Sequence, residues 1–151
     1  MRKINKVAVL GSGVMGSRIA CHFANIGTEV LLLDIVPREL SDKEKASGKS
    51  LEDLSVRNRI VNDSLAFALK SNPSPIYSKS FAKRITTGNM EDDMSKIGDC
   101  DWIIEVVVER LDIKKIVFEQ VEKYRKPGTL ITTNTSGIPI GMLLDGRSED
   151  F

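Results

Sequence analysis

Residues 7–20 read VAVLGSGVMGSRIA: an apolar run, then Gly11, Gly13 and Gly16, then a helical pattern. This join constrains the fold more than any other part of the chain. Glycine weakens strands and helices alike, so three at one strand-to-helix junction call for a reason in the backbone. A dinucleotide supplies one. Its pyrophosphate sits against a helix N-terminus, where free N–H groups and the helix dipole favour negative charge. The main chain must then touch the phosphates, and a Cβ would intrude. Gly11 makes the tight turn, Gly13 permits the approach, and Gly16 lets the helix pack closely on the strand. A glycine-rich turn with no ligand is the alternative, and a strand before with a helix behind argues against it.

The next strand, TEVLLLDI, ends at Asp34 and is apolar on both sides, as a central parallel strand is. A carboxylate at that strand end can accept the ribose hydroxyls of the adenosine half. It would repel a 2′-phosphate by about 1–4 kcal/mol per charge at about 4 Å. NAD is therefore expected over NADP.

The rest of the chain repeats the alternation. Lys6–Leu10 is the first strand and Val14–Ile26 the first helix, with Met15, Ile19, Phe23 and Ile26 at helical spacing. A long, polar, helix-rich excursion between Asp34 and about Arg84 carries an apolar stripe that includes Leu54, Val61 and Leu65. SNPSP then breaks the pattern. RITTG reads as a weak strand, DWIIEVVVE as a strong one, and Asp112–Tyr124 as a helix stopped by Pro127 and Gly128. TLITTNTS supplies the fifth strand and its exit loop. Strands alternating with helices imply right-handed crossovers and a parallel sheet. The expected fold is α/β, a doubly wound parallel sheet of the Rossmann type.

In such sheets ligands bind at the carboxyl ends of the strands, beside the switch point. That directs attention to Val107, Val108 and Glu109 after the fourth strand and to Asn134 and Ser136 after the fifth. Glu109 with Lys114 could orient ribose or nicotinamide, although a Glu or Lys at a helix start is commonly a cap or a solvated charge. Ser136 offers a hydroxyl for a substrate oxygen. Glu105, inside the strand, reads as a paired structural carboxylate. Oxidising an alcohol also requires a base, most often histidine. The only histidine, His22, lies two turns along the first helix, remote from the strand tips.

Composition excludes several other functions. With 22 Lys and Arg against 21 Asp and Glu, nothing global points to nucleic acid or an acidic membrane. No run reaches the roughly 18 apolar residues that a membrane span needs. Cys21 and Cys100 stand alone, with no metal or redox spacing, so no metal and a cytoplasmic setting are expected. The last residues, LLDGRSEDF, are expected to end without completing an element, as in a piece of a longer polypeptide.

VAVLGSGVMGSRIACHFANIG, LLLDI, DWIIEVVVERLDIKKIVFEQVE and TTNTSGIPI together resemble the N-terminal NAD-binding domain of L-3-hydroxyacyl-CoA dehydrogenases, over nearly the whole chain. The resemblance is to the bacterial multidomain enzymes of fatty-acid β-oxidation. It implies pyrophosphate binding by Gly11, Val14, Met15 and Gly16, with a ribose contact at Asp34. It further implies cofactor contacts from Val107, Val108, Glu109, Lys114 and Asn134, and a substrate-orienting Ser136 beside the nicotinamide. Such enzymes oxidise (3S)-3-hydroxyacyl-CoA to 3-oxoacyl-CoA. They continue into a His-Phe-Phe-Asn-Pro segment bearing the catalytic histidine, and then a helical dimerisation domain. Neither is present here, so the chain alone is expected to bind NAD without turnover, with a homodimer or multidomain assembly as the context of the full-length protein. The resemblance implies that 36–82 form an inserted helical hairpin beside the cleft that helps hold CoA. Gly137 departs from the resemblance, relatives often having Ser or Thr there. Lys70, Lys79, Lys83 and Arg84, in an acid-poor stretch, are a plausible meeting place for CoA phosphates or simply a solvated basic face. Two other readings stay open: a binding-only NAD-responsive module, and a hydroxyisobutyrate-type dehydrogenase.

Overall fold

The computed structural model describes residues 1–151. Five strands, β1 (Lys6–Leu10), β2 (Glu29–Asp34), β3 (Ile85–Asn89), β4 (Trp102–Glu105) and β5 (Leu130–Thr133), form one sheet in the order β3-β2-β1-β4-β5. All four pairings are parallel. The order reverses between β1 and β4. From there the chain winds to one side through β2 and β3 and to the other through β5, which opens a crevice above the carboxyl ends of β1 and β4.

Alternation along β1 sorts its side chains between two cores. Val7 and Val9 join Val30, Leu32, Ile85 and Ile104 under the first helix, α1 (Val14–Asn25), and under Val61 from the insertion. Ala8 and Leu10 join Leu31, Leu33 and Ile103 on the opposite face, against α5 (Leu111–Tyr124) through Val117, Phe118 and Val121. Burial on both faces explains why β1 and β2 carry almost uninterrupted apolar runs.

The excursion between β2 and β3 contains two short helices, α2 (Asp42–Ala46) and α3 (Leu54–Arg57), and then the longer α4 (Arg59–Lys70). It is not a pair of matched arms. Asn89, at the end of β3, is fully buried and donates to Asn58 and Asp92, while Arg57 pairs with both Asp92 and Glu91. These contacts fasten the base of α4 to the sheet.

Two elements differ from the sequence expectation. The fourth strand stops at Glu105 rather than continuing to residue 109, because Glu105 turns its carboxylate onto the Val107 N–H and the chain peels away. The C-terminal residues are more ordered than their polarity implies. A short helix, α6 (Ile140–Leu144), buries Leu143, and Phe151 packs edge-on against Phe118 at 5.5 Å. No helix is long and apolar enough to cross a membrane.

Candidate functional site: the cleft above β1, β4 and β5

The three glycines of the first turn meet three different demands. Gly11 has φ +108°, and a Cβ there would lie 2.6 Å from the Val106 carbonyl oxygen. Both the left-handed backbone and the neighbouring β4 chain therefore require glycine. At Gly16 a Cβ would fall 1.8 Å from the Gly11 carbonyl oxygen, so the first turn of α1 rests on the loop before it. Gly13 is unlike both, since a Cβ there would meet nothing within 4 Å. No packing inside the protein needs Gly13 bare, and its missing side chain faces open space at the start of α1.

That helix end is also left electrically unfilled. α1 has no side-chain cap and no acidic residue in its first turn, whereas α2 carries a complete capping box between Ser41 and Glu44. The dipole and first N–H groups of a 12-residue helix thus point at the crevice without a protein anion to satisfy them. Val14 and Met15, on the same turn, are exposed.

Asp34 stands at the end of β2 beside this turn. Its Oδ2 accepts the Ser12 N–H at 2.7 Å and the Ser12 hydroxyl, and its Oδ1 accepts the Ile35 N–H at 2.7 Å. The carboxylate is thus tied to the glycine loop by a residue that the sequence reading passed over. Its only sequence signal was a polar residue at a variable position of the fingerprint.

On the other side of the switch point, Val107, Val108, Glu109, Asn134, Thr135 and Ser136 join Gly13–Gly16 around a cavity of about 430 Å³. Glu109 Oε1 accepts the Ser136 N–H at 3.0 Å and the Gly137 N–H at 2.8 Å. The Gly137 N–H, then that of Ser136, hold the Glu109 carboxyl below its ordinary pKa. Glu109 thereby clamps the loop after β5 to the tip of β4 and places the exposed Ser136 at the cleft wall. A Cβ at Gly137 would stand 3.4 Å from Glu109 Oε1, so a larger residue there would press on the clamp.

Lys114 stands directly behind the cleft wall. It does not line the cleft. It is 1% exposed, and its Nζ donates to Glu105 Oε1 at 2.7 Å and to the Val107 carbonyl at 3.1 Å. Glu105, fully buried, also accepts from Val107 N–H at 2.7 Å and from the Thr133 hydroxyl. The residue expected at the cofactor thus forms a buried ion pair that joins β4, β5 and α5. The reason is helical geometry: Lys114 lies on the sheet-facing side of α5, with Val117, Phe118 and Val121.

The basic residues do not converge either. Lys70 and Lys79 share a cavity with Tyr77, whereas Lys83 and Arg84 lie with Lys6 and Glu29 near the amino ends of the strands. Arg84 donates to the Ala24 carbonyl and stacks over Phe81 at 4.3 Å. A second cavity, about 450 Å³, does adjoin the cleft. It runs from Ser12, Gly13 and Val14 to Asp63, Ser64 and Phe67 of α4. His22 is exposed on α1 and lines neither space.

A parallel sheet reversed at β1/β4, a bare glycine under an uncapped helix, and a carboxylate at the end of β2 define a dinucleotide-binding domain. Its residues fit NAD. A Cβ at Gly13 would meet no protein atom within 4 Å, and the Asp34 carboxylate ends β2 beside that turn.

Residues 6–150 match the family described as "3-hydroxyacyl-CoA dehydrogenase, NAD binding domain", and the chain belongs to that family. It is 49% identical over 150 residues to a "Probable 3-hydroxyacyl-CoA dehydrogenase" of Bacillus subtilis, covering 99% of this chain and 19% of that one. A protein of the same description from Deinococcus radiodurans is 42% identical, with 99% of this chain and 39% of that one covered. The chain therefore spans between a fifth and two fifths of these relatives. Among solved structures, a 3-hydroxybutyryl-CoA dehydrogenase from Escherichia coli K12 superposes with TM-score 0.65 at 28% identity, covering 98% of this chain and 28% of that one. One from Ralstonia eutropha gives 0.63 at 25% identity, with 95% and 45% covered.

Proposed function

We propose that this chain is the cofactor-holding part of an enzyme that oxidises (3S)-3-hydroxyacyl-CoA thioesters to 3-oxoacyl-CoA in fatty-acid β-oxidation. One observation carries the reading: the bare turn at Gly13 and the wall formed by Glu109, Asn134 and Ser136 border a single cleft at the switch point. When bound there, NAD supplies the acceptor for a hydride from the substrate's C3.

The protein's own residues hold and orient. Gly11, Gly13 and Gly16 with the first N–H groups of α1 receive the pyrophosphate, and Val14 and Met15 offer apolar contact beside it. Asp34 receives the adenosine ribose. Val107, Val108, Glu109 and Asn134 border the nicotinamide end, where Glu109 keeps Oε2 free of protein donors while Oε1 fixes the loop. The Ser136 hydroxyl orients the substrate's C3 oxygen. Lys114 contributes by holding Glu105 and so the spacing of the β4 and β5 tips.

The cleft holds no histidine, and its one carboxylate, Glu109, is kept below its ordinary pKa and so is the weaker base, from which we infer that this chain alone binds NAD and does not turn over. The full-length enzyme is proposed to act as a homodimer or within a multidomain β-oxidation protein. Support comes from Rickettsia relatives named "Putative fatty acid oxidation complex trifunctional enzyme", 38% and 36% identical to this chain. Two buried free cysteines, Cys21 and Cys100, favour a reducing cytoplasm. The test is calorimetric titration with NAD alongside an assay of (3S)-3-hydroxybutyryl-CoA oxidation. Binding without oxidation is expected. Oxidation by the 151-residue chain, or a cleft that takes up no NAD, would overturn the proposal.

A further inference from the structure

The fingerprint's variable residue, Ser12, is 1% exposed, and both its N–H and its hydroxyl are given to one oxygen of Asp34. Its own carbonyl accepts the hydroxyl of Ser17, also 1% exposed, at 2.6 Å, so the turn that carries Ser12 is braced from inside α1. An ionised carboxylate offers about four acceptor positions. Ser12 fills two on Oδ2, and the Ile35 N–H fills one on Oδ1. A single position is left, on Oδ1.

We infer that Ser12 is a positioning residue for cofactor selection: its hydroxyl locks the Asp34 carboxylate with Oδ1 alone toward the adenosine ribose. This inference rests on the NAD reading of the cleft. A locked carboxylate makes one strong hydrogen bond to the ribose, with no ordering left to be done when the nucleotide arrives. It also cannot turn aside from a 2′-phosphate, so its charge opposes NADP in full. Without the hydroxyl, Oδ2 keeps only the Ser12 N–H, and the carboxylate can tilt or take water in the vacant position. Adenosine-half affinity and NAD-over-NADP preference then fall together.

Because Ser12 acts only through Asp34, a double-mutant cycle isolates its role. Dissociation constants for ADP-ribose, nicotinamide mononucleotide, NAD and NADP are measured by calorimetry on the unmodified protein, Ser12→Ala, Asp34→Ala and the double variant. Thermal unfolding is recorded for each. Ser12→Ala removes one hydrogen bond to a charged group, which raises the ADP-ribose constant by about tenfold. The nicotinamide mononucleotide constant stays unchanged, the NADP-to-NAD ratio narrows, and in the Asp34→Ala background the serine substitution has no further effect. Several outcomes overturn the inference: ADP-ribose binding to Ser12→Ala that is unchanged or tighter, equal weakening toward both halves, or the same loss without Asp34. A lowered melting temperature with an unaltered preference between the halves does so too, because the serine would then be structural only. If the unmodified protein bound none of the four nucleotides, the NAD reading itself would fail, a result distinct from a failure confined to Ser12.

Discussion

Replacing Gly13 by alanine tests the proposed seat of the pyrophosphate, because no protein atom needs that position bare. The added carbon meets no protein atom within 4 Å, while the backbone there, φ −56° and ψ −172°, sits at the margin of the extended region. Slight strain then offsets what a less flexible unfolded chain contributes, and stability should change by no more than about 1 kcal/mol. For a domain of this size that keeps the melting temperature within about 4 °C of the unmodified protein. Binding should change far more. A methyl group facing the uncapped start of α1 holds a phosphate away from the N–H groups there. Losing two charge-assisted hydrogen bonds of about 1.5 kcal/mol each weakens NAD by roughly a hundredfold or more. Differential scanning calorimetry and NAD titration on the same preparation read both quantities. A stable Gly13→Ala protein that binds NAD as tightly as the unmodified one would refute the placement of the pyrophosphate.

Gly16→Ala should instead destabilise the fold: its Cβ starts 1.8 Å from a main-chain oxygen, and the strain costs about 1–3 kcal/mol or above, visible as a lowered melting temperature without ligand. Lys114→Met leaves the buried Glu105 without its cation and should cost about 3–5 kcal/mol in denaturant unfolding, with Glu105→Gln added in the same chain restoring much of it. Glu109→Gln removes the anion that clamps Ser136 and Gly137, so hydrogen exchange at those two amides should quicken while the amides of β1 stay protected. Acid should act at the opposite end of the sheet. Asp101 is held at a pKa of about 2 by Lys126 and by the N–H groups of Asn5 and Lys6. A carboxyl depressed on folding contributes stability above its unfolded value, and loses it as pH falls through the folded one. The Asp101 share should therefore fade between about pH 4 and pH 2, and Asp101→Asn should flatten that part of an acid-unfolding profile.

Much of the cleft was legible because its strongest signals are local. The glycine spacing, the double-sided apolar runs of β1 and β2, and Asp34 at a strand end each follow from backbone requirements within a few residues. The tips of β4 and β5 were legible as places, through the topology of a parallel sheet. What escaped was the side-chain pairing across elements. Nothing in DIKK tells that the first lysine reaches back under the strand to Glu105 while the second goes to Asp145. Ser12 was passed over for the same reason, since its partner is 22 residues away and the fingerprint imposes nothing at its position. The end of β4 was misjudged because VVV satisfies any strand propensity, whereas the decision to leave the sheet is made by the carboxylate of Glu105.

The contact between Gly11 and Val106 has a consequence for how such a domain can drift. The glycine loop and the chain leaving β4 meet through main-chain atoms, the Val106 N–H donating to the Leu10 carbonyl at 2.8 Å, with no side chain between them that could be exchanged for a longer or shorter one. The span between the two ends of the cleft is therefore set by peptide geometry itself. At that contact the floor offers no side chain to adjust, so a change of reach toward the nucleotide has to come from around it, from the outer loops or from the Lys114–Glu105 pair behind the wall.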